Sequence, residues 1–455
     1  MDKNNIVIEA LYEFKRVRRS ILFQVFVVLA IVGLVVYQYT FLSREGGTVS
    51  INNLFQFYMD WTSQALSSSI AFKSAYYFNI IQLLLIACFA AGDSVVLEEG
   101  AKSALSARPQ GNSEIVFGNF LGKLLTVTIL NWISFATSIL INLVLYSNSF
   151  DLSNYFFYWL TLTLPVSVYF LGISCFVMRL VRNRGIIILV LLLFFGGVTF
   201  FGAGFWNGAF DPCARYIPNM FSDFTGHVNL GNYLLQRGSV FLIGAGFLVL
   251  SIIPYARIPN HALVFRKCLG IACVLFVFAG GLVFVYHLRH VTVSDCRETY
   301  KRVYDDYDQY PGAKIIRQDL HLKELENGGI SVNSRMKIMN GSSDSIPLIM
   351  YLNPGLKITS FEVNGESVVF RREHQILVSN KELFPSETYD VSIHYEGNIE
   401  NEICFLDVAP EEYNSPGVNA LGIYYFGNTP AFCGKEYKLL TPECIWYPVC
   451  VPPYH

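Results

Sequence analysis

Seven long apolar runs set the pattern of the chain: 21–42, 75–92, 124–146, 155–178, 186–205, 239–255 and 268–287. Each reaches or approaches the roughly 17–25 residues that carry an α-helix across the hydrocarbon core of a bilayer. Ahead of them, Val7, Ala10, Leu11, Phe14 and Val17 recur at helical spacing, with Glu9, Glu13 and Arg16 on the opposite face. That pattern predicts an interfacial helix over residues 1–20, lying along the inner membrane surface. After His287 the pattern changes. Residues 289–314 are charged and Tyr-rich and predict a stalk, and from Ile315 short β-branched runs alternate with turn residues. Val363-Asn364-Gly365-Glu366 sets an Asn-Gly pair between two apolar runs, a strong hairpin signal, and 376–378 and 389–395 continue the series. The expected fold is a polytopic α-helical membrane domain of about seven spans over 21–288, followed by an extracytoplasmic, antiparallel β-sandwich-like domain over 315–455.

Composition agrees with that class. The chain is 53% hydrophobic and 15% charged, against roughly 45–50% and about 25% for soluble domains. The net charge of −2 points to no partner, and no nucleic acid is expected. The distribution of charge is more informative, because basic residues concentrate in the cytoplasmic segments of membrane proteins. With the N-terminus inside, the inside segments hold Lys15, Arg16, Arg18 and Arg19, then Lys102, Arg108 and Lys123. Arg179, Arg182, Arg184, Arg257, Arg266 and Lys267 follow on the same side. The outside segments hold only Arg44, Lys73, Arg215 and Arg237. An odd number of spans then puts everything after His287 outside the cytoplasm. The first run is longer than the apolar core of a signal peptide and lacks a small-x-small cleavage site, so it reads as a retained span.

The stretch VVLEEGAKSALSARPQGNSEIVFGNFLGK, 95–123, is too patterned for a plain connector. Glu98 and Glu99 end the second run in water, 101–107 is rich in helix formers, and Pro109 with Gly111 stops that helix. Asn112 or Ser113 then caps a new helix that continues through Ile115, Phe117 and Phe120 into the third run. A short exposed helix held by a span at each end has the form of a lever. Inside the runs, polar groups are sparse and uncharged. Asn79, Gln82, Asn131 and Asn142 are the candidates for a substrate path, with hydrogen bonding between helices as the competing reading. The lack of an embedded acid or base argues against a proton- or sodium-coupled carrier. Residues 206–238 read as a long outside connection.

In order and placement these features resemble the permeases of type-2 ATP-binding-cassette exporters. That family carries an acidic cluster after the second span, a coupling helix, a Leu-x-x-x-Pro step and a Gly-Lys before the third span. Here Glu98-Glu99-Gly100, Leu105-Ser106-Ala107-Arg108-Pro109 and Gly122-Lys123 stand in that order, and the resemblance covers residues 1–255. Glu-Glu-Gly departs from the family, where a basic residue is common between the acids. The resemblance implies a half-transporter in the bacterial cytoplasmic membrane. It would pair with a second permease, identical or different, and engage an ATPase subunit through a coupling helix at about 98–110. Glu98, Glu99, Ser103, Leu105, Arg108 and Pro109 would make that contact. ATP would be bound by the partner, since Gly118 to Lys123 gives only G-x-x-x-G-K and not a phosphate loop. No cofactor and no catalytic residue are expected in this chain, which is not read as an enzyme.

"LNPGLKITSFEVNGESVVFRR", "ETYDVSIHYEGNI" and "IWYP" resemble the N-terminal β-domain of aminopeptidase N-type zinc peptidases, over about 315–448. The H-E-x-x-H pair, the further Glu ligand and the G-x-M-E-N clamp of those enzymes have no counterpart in the sequence. His321, His374, His394 and His455 are scattered, and Glu373 and His374 are expected to face opposite ways on a strand. The catalytic half is expected either to be lost or to be a separate chain. A second reading is therefore a membrane anchor or docking protein for an external aminopeptidase-like partner. Among the cysteines expected in an oxidising space, Cys433 and Cys444 flank a short segment and are the choice for a disulfide.

Overall fold

A computed structural model describes residues 3–42, 67–93, 110–145, 150–181, 183–200, 205–214, 227, 229–255, 262–404, 406 and 437–451. The chain divides into two compact units, a helical one (Met1–Asp223 with Asn229–His287) and a second one (Phe224–Val228 with Leu288–His455).

The helical unit begins with α1 (Lys3–Arg18) and α2 (Ile21–Leu42), separated at Ser20, whose hydroxyl accepts from the Phe23 amide at 3.2 Å. They are followed by α3 (Ser67–Asp93) and α4 (Asn112–Leu145). α5 (Leu152–Tyr158) is capped by Asp151, which accepts from the Ser153 amide at 2.8 Å. It runs through a π segment, Trp159–Thr163, into α6 (Leu164–Leu180). Pro165 stands in the first turn of α6 and has no amide to donate backward, so the ladder widens just ahead of it. α7 (Arg184–Phe200), α8 (Leu230–Leu250) and α9 (Ala262–Tyr307) complete the set.

Among the described residues, six helical stretches are long and apolar enough to cross a membrane: 21–38, 70–87, 112–144, 152–180, 230–250 and 262–307. The seventh expected run is the exception in length, though it stays within the roughly 17–25 residues of a span. The run at 186–205 forms α7, an apolar helix of 17 residues that is shorter than the other six. The run at 239–255 starts earlier than its apolar residues suggest, because α8 begins at Leu230 and carries Gln236 and Arg237 inside it. Apolar side chains cover the outside of the unit, including Val28, Val32 and Val36 on α2 and Leu189 and Leu193 on α7. These exposed apolar residues lie on helices of membrane-like length and composition. Between α6 and α8 the backbones touch: a Cβ on Gly172 would stand 2.0 Å from the Gly244 carbonyl oxygen.

Among its described residues, the second unit contains the end of α9 and eight strands in two antiparallel sheets. These are β1 (Lys314–Glu324), β2 (Ile330–Met339), β3 (Ile346–Tyr351), β4 (Leu356–Val363), β5 (Glu366–Ser367), β6 (Phe370–Glu373), β7 (Ile376–Leu383) and β8 (Thr388–Gly397). One sheet has the order β1-β2-β8-β4-β5 and the other β3-β7-β6. Alternation decides the faces: Ile330, Val332, Met336 and Ile338 on β2, and Tyr389, Val391, Ile393 and Tyr395 on β8, are all buried. Tyr300, Val303 and Tyr304 of α9 join the same apolar cluster, so part of the stretch expected as a stalk belongs to this core. The Asn-Gly hairpin forms as expected between β4 and β5, with φ of 54° at Asn364 and 81° at Gly365. His374 is not on a strand. It lies in the β6–β7 turn at φ 50°, because Glu373 is the last residue of β6.

Candidate functional site

Glu98, Glu99, Ser103, Leu105, Arg108 and Pro109 lie outside the described residues. Gln110 follows them, and two residues later α4 begins. The Glu114 carboxylate folds back on the Gly111 amide (3.2 Å), satisfying one of the free donors of the first turn, and accepts from the Asn5 side chain of α1 (3.1 Å). Asn112 Nδ2 donates to the Tyr255 carbonyl just beyond α8, at 3.1 Å. Nearby, Arg179 at the end of α6 donates to the Ser251 carbonyl (3.1 Å) and hydroxyl (2.6 Å) and lies 5.0 Å from the Tyr255 ring centre. The start of α4 is thus tied to α1 and to the chain leaving α8.

α1 meets α4 through Gly118 and Gly122. A Cβ on Gly118 would stand 2.5 Å from Glu9 Cβ, and one on Gly122 would stand 2.5 Å from the Ala10 carbonyl oxygen. This is the small-x-x-x-small spacing that lets two helix backbones approach. The G-x-x-x-G-K string, set aside as a phosphate loop, is therefore a helix-crossing surface. Its lysine has a role there too. Lys123, 4% exposed, places Nζ 3.8 Å from the carboxylate of Glu13, which is 2% exposed. Arg16 grips the same carboxylate at 2.7 and 2.9 Å. A cavity of about 10 Å³ touches Lys123, Thr126 and Val17, the size of a single water. Two expectations are corrected here. The acidic face of α1 is the buried one, while Val7, Leu11 and Tyr12 are exposed. Lys123 is also not a solvated flank, since α1 covers it.

The candidate path residues are all buried. Gln82 donates to Asn79 Oδ1 and accepts from the Ser167 hydroxyl, both at 2.7 Å. Asn131 and Asn142 do not join that pair. They belong to a stripe on α4 with Ser134 and Ser138, spaced three and four residues apart and hence on one face. Ser138 meets Gln38 of α2 (2.6 Å) and Ser74 of α3 (2.6 Å), and Gln38 also donates to Ser74 at 2.7 Å. Both polar atoms of Asn131 and of Asn142, and Nδ2 of Asn79, have no hydrogen-bond partner among the described residues. The sequence reading missed Gln38, Ser74, Ser138 and Ser167. The 131-134-138-142 spacing was the available signal for Ser138, Gln38 stands out as an amide inside the first apolar run, and nothing local marks Ser74 or Ser167.

Arg237, assigned to an outside loop, is buried within α8. It donates to the carbonyls of Asp211 and Pro212, each at 2.7 Å, while Gln236 beside it donates to those of Gly208, Ala209 and Asp211 at 3.1, 3.3 and 2.6 Å.

In the second unit, Asn353 is a hub. Its amide group donates to the Glu400 and Cys444 carbonyls (3.0 and 2.9 Å) and its oxygen accepts from the Glu400 and Gly355 amides (2.9 and 3.0 Å). The Tyr300 hydroxyl donates to the Glu400 carboxylate. Burial lowers the Arg372 pKa while Glu400 opposes that shift, and the guanidinium donates to the Asn353 carbonyl at 2.7 Å. Thr292, Asp295, Cys296, Thr299, Tyr300 and His374 line an open recess of about 260 Å³. Among the described residues, no three His, Cys, Asp or Glu side chains converge as a metal site would require. Cys433 lies outside the described residues, whereas Cys444 is buried and its thiol donates to the Thr441 carbonyl at 3.1 Å.

No protein-family model matches the chain, and no curated protein matches it. Among solved structures it is similar to the M1 zinc metallopeptidase from Deinococcus radiodurans, and to a mutant of that enzyme bound to a Tyr-Ser-Ala substrate. Both matches are 21% identical, cover 20% of this chain and have a TM-score of 0.18. The chain spans about one fifth (21%) of the length of those peptidase chains.

Proposed function

We propose that the chain is the permease subunit of an ATP-driven exporter in a bacterial cytoplasmic membrane. It would work with a second permease and a separate ATPase subunit that binds ATP. The N-terminus faces the cytoplasm in this reading and the β-strand unit lies outside. The observation that carries it is the anchoring of the residues that follow the coupling stretch. Force applied to 98–110 by a partner would reach Asn112 and Glu114, and from there α1 through Asn5, Glu13 and Lys123, and the end of α8 through Tyr255. A loop that only joined two spans would need no such ties. The buried polar stripe on α4, with the Asn79–Gln82–Ser167 group across from it, supports a polar path through the bundle.

The test is to reverse the charge of Glu98 and Glu99 together, or to make Leu105→Asp. Membrane insertion should be unchanged, while stimulation of the partner ATPase and transport are both lost. Full transport in either variant would end the lever reading. A second reading, docking of an external peptidase chain, is favoured by the open recess in the strand unit, lined by hydroxyl and carboxylate groups. Co-purification of a peptidase with no ATPase would select it.

A further inference from the structure

The turn between α7 and α8 is held more tightly than a connection requires. Two neighbouring side chains of α8, Gln236 and Arg237, are almost completely buried and both donate to backbone carbonyls of residues 208–212. Burying a guanidinium is costly unless its donors are used, and here the carbonyls of Asp211 and Pro212 use two of them at 2.7 Å. The turn closes on itself as well, with the Ala209 amide on the Trp206 carbonyl (3.1 Å) and the Asp211 amide on the Gly208 carbonyl (3.1 Å). Trp206 and Ala214 have φ of 50° and 55°, a region that non-glycine residues rarely occupy. Strain of that kind persists only where the surroundings over-determine the backbone.

The rigid turn displays three aromatic rings. Phe205, Trp206 and Phe210 are 59%, 45% and 37% exposed, and their centroids lie 5.6, 6.1 and 5.8 Å apart. Trp206 also stacks on His287 at 4.9 Å. That contact sets the depth of the patch. His287 ends the apolar run 268–287, the level at which a bundle passes from hydrocarbon to headgroups. It is also the end of the unit opposite α1, because Asn112, Arg179 and Tyr255 gather at the α1 end while Gln236 and Arg237 belong to the first half of α8. Trp at this level is the residue of membrane interfaces, with an apolar body and one polar N–H.

We infer that the Phe205–Trp206–Phe210 patch is a lipid-interface anchor, seated at the headgroup and upper acyl boundary of the bilayer on the side away from α1. The clamp from Gln236 and Arg237 fixes its depth. The inference rests on the reading of this chain as membrane-spanning. Its occupant is lipid because all three rings are exposed and Trp206 stacks on His287, where the apolar run 268–287 ends.

The test uses the full chain with Trp206 as its only tryptophan, the other four (Trp61, Trp132, Trp159 and Trp446) being replaced by Phe. It is reconstituted in phosphatidylcholine–phosphatidylglycerol vesicles whose acyl chains are brominated either near the headgroup or near the methyl end. Trp206 emission should be quenched several-fold more strongly by the shallow bromines than by the deep ones, and little by aqueous iodide. Quenching by iodide alone would make the patch a water-facing exit surface, and quenching by neither would make it a protein contact. Either result overturns the inference. If that variant does not fold, Trp206→Phe in the otherwise natural chain gives the same answer, because the shallow-quenched component should disappear. Phe278→Trp, on the exposed face of α9, is the reference for insertion. Deep quenching at 278 without shallow quenching at 206 defeats the anchor alone, whereas no lipid quenching at 278 defeats the membrane reading itself.

Discussion

Replacing Glu13 and Lys123 singly and together should give an asymmetric result. Glu13 is gripped from two sides: the Arg16 fork is at 2.7 and 2.9 Å, and Lys123 Nζ is at 3.8 Å. Lys123→Met removes the more distant partner, keeps the volume and leaves the carboxylate on Arg16. A swap of that kind is expected to cost under about 1.5 kcal/mol. Glu13→Ala takes the carboxylate away from a lysine that is only 4% exposed. Removing one member of a buried pair costs about 3–5 kcal/mol, while Arg16, on the rim, can turn to water. With Lys123→Met added, the buried ammonium is gone, so the double variant should be more stable than Glu13→Ala alone. Unfolding in mixed micelles with increasing SDS, followed by tryptophan emission, gives the three free energies and their coupling. Refutation would be a Lys123→Met variant as damaged as Glu13→Ala, or a double variant equal to the sum of the two. Either would mean that the pair is incidental to how α1 sits on α4.

Gly244→Ala should destabilise by about 1–3 kcal/mol, since its Cβ would meet backbone atoms of Tyr169 at 2.5 and 2.6 Å. Gly196→Ala, with nothing within 4 Å, should be neutral or stabilising in the same assay. Asn353→Ala should lower the thermal midpoint of the strand unit and leave the helical unit unchanged. It leaves the Glu400 and Cys444 carbonyls without their donor, at about 1–3 kcal/mol for each group that becomes unpaired. Burial pushes the Cys450 thiol up to about 12 from its ordinary 9.0. In the unfolded chain the thiol sheds its proton first, so this contribution is complete below about pH 8.5 and is lost as pH rises toward the folded value. Thermal unfolding near pH 8 and near pH 10 should show the decline, and Cys450→Ala should lessen it.

Most of the helical architecture was legible, because lipid-length apolar runs and an Asn-x-Glu start are local properties. The helix through Phe117 and Phe120 forms as expected, but its cap is Gly111 and not Asn112 or Ser113: the Gly111 carbonyl accepts from the Glu114 and Ile115 amides, and the Asn112 side chain donates to Tyr255 instead. The commonest failure was that polar residues were assigned to water. Glu13, Lys123, Gln236 and Arg237 are polar and buried, and their partners are backbone carbonyls or a residue about a hundred positions away. No window along the sequence reveals such a pairing. The path residues were found singly, because amides stand out in apolar runs, but their grouping depends on Gln38, Ser74 and Ser167 from other helices. His374 was misplaced by a single residue, where β6 ends and a left-handed turn begins.

The π segment at Trp159–Thr163 bears on how the chain tolerates changes in length. A π turn accommodates one residue more than a regular helix and keeps both flanks on their original faces. Deleting one residue there would let the helix close into a regular ladder, with Tyr155 still directed at Phe135 and Ser167 still at Gln82. The same deletion between Pro165 and Ser174 would turn one flank by about 100° relative to the other and break those contacts. The extra residue also sets Thr161 against the hydroxyl of Tyr233, at 2.9 Å. Relatives that differ in length within this helix should therefore place their gap at 159–163, and those without the extra residue should have no hydroxyl facing position 233.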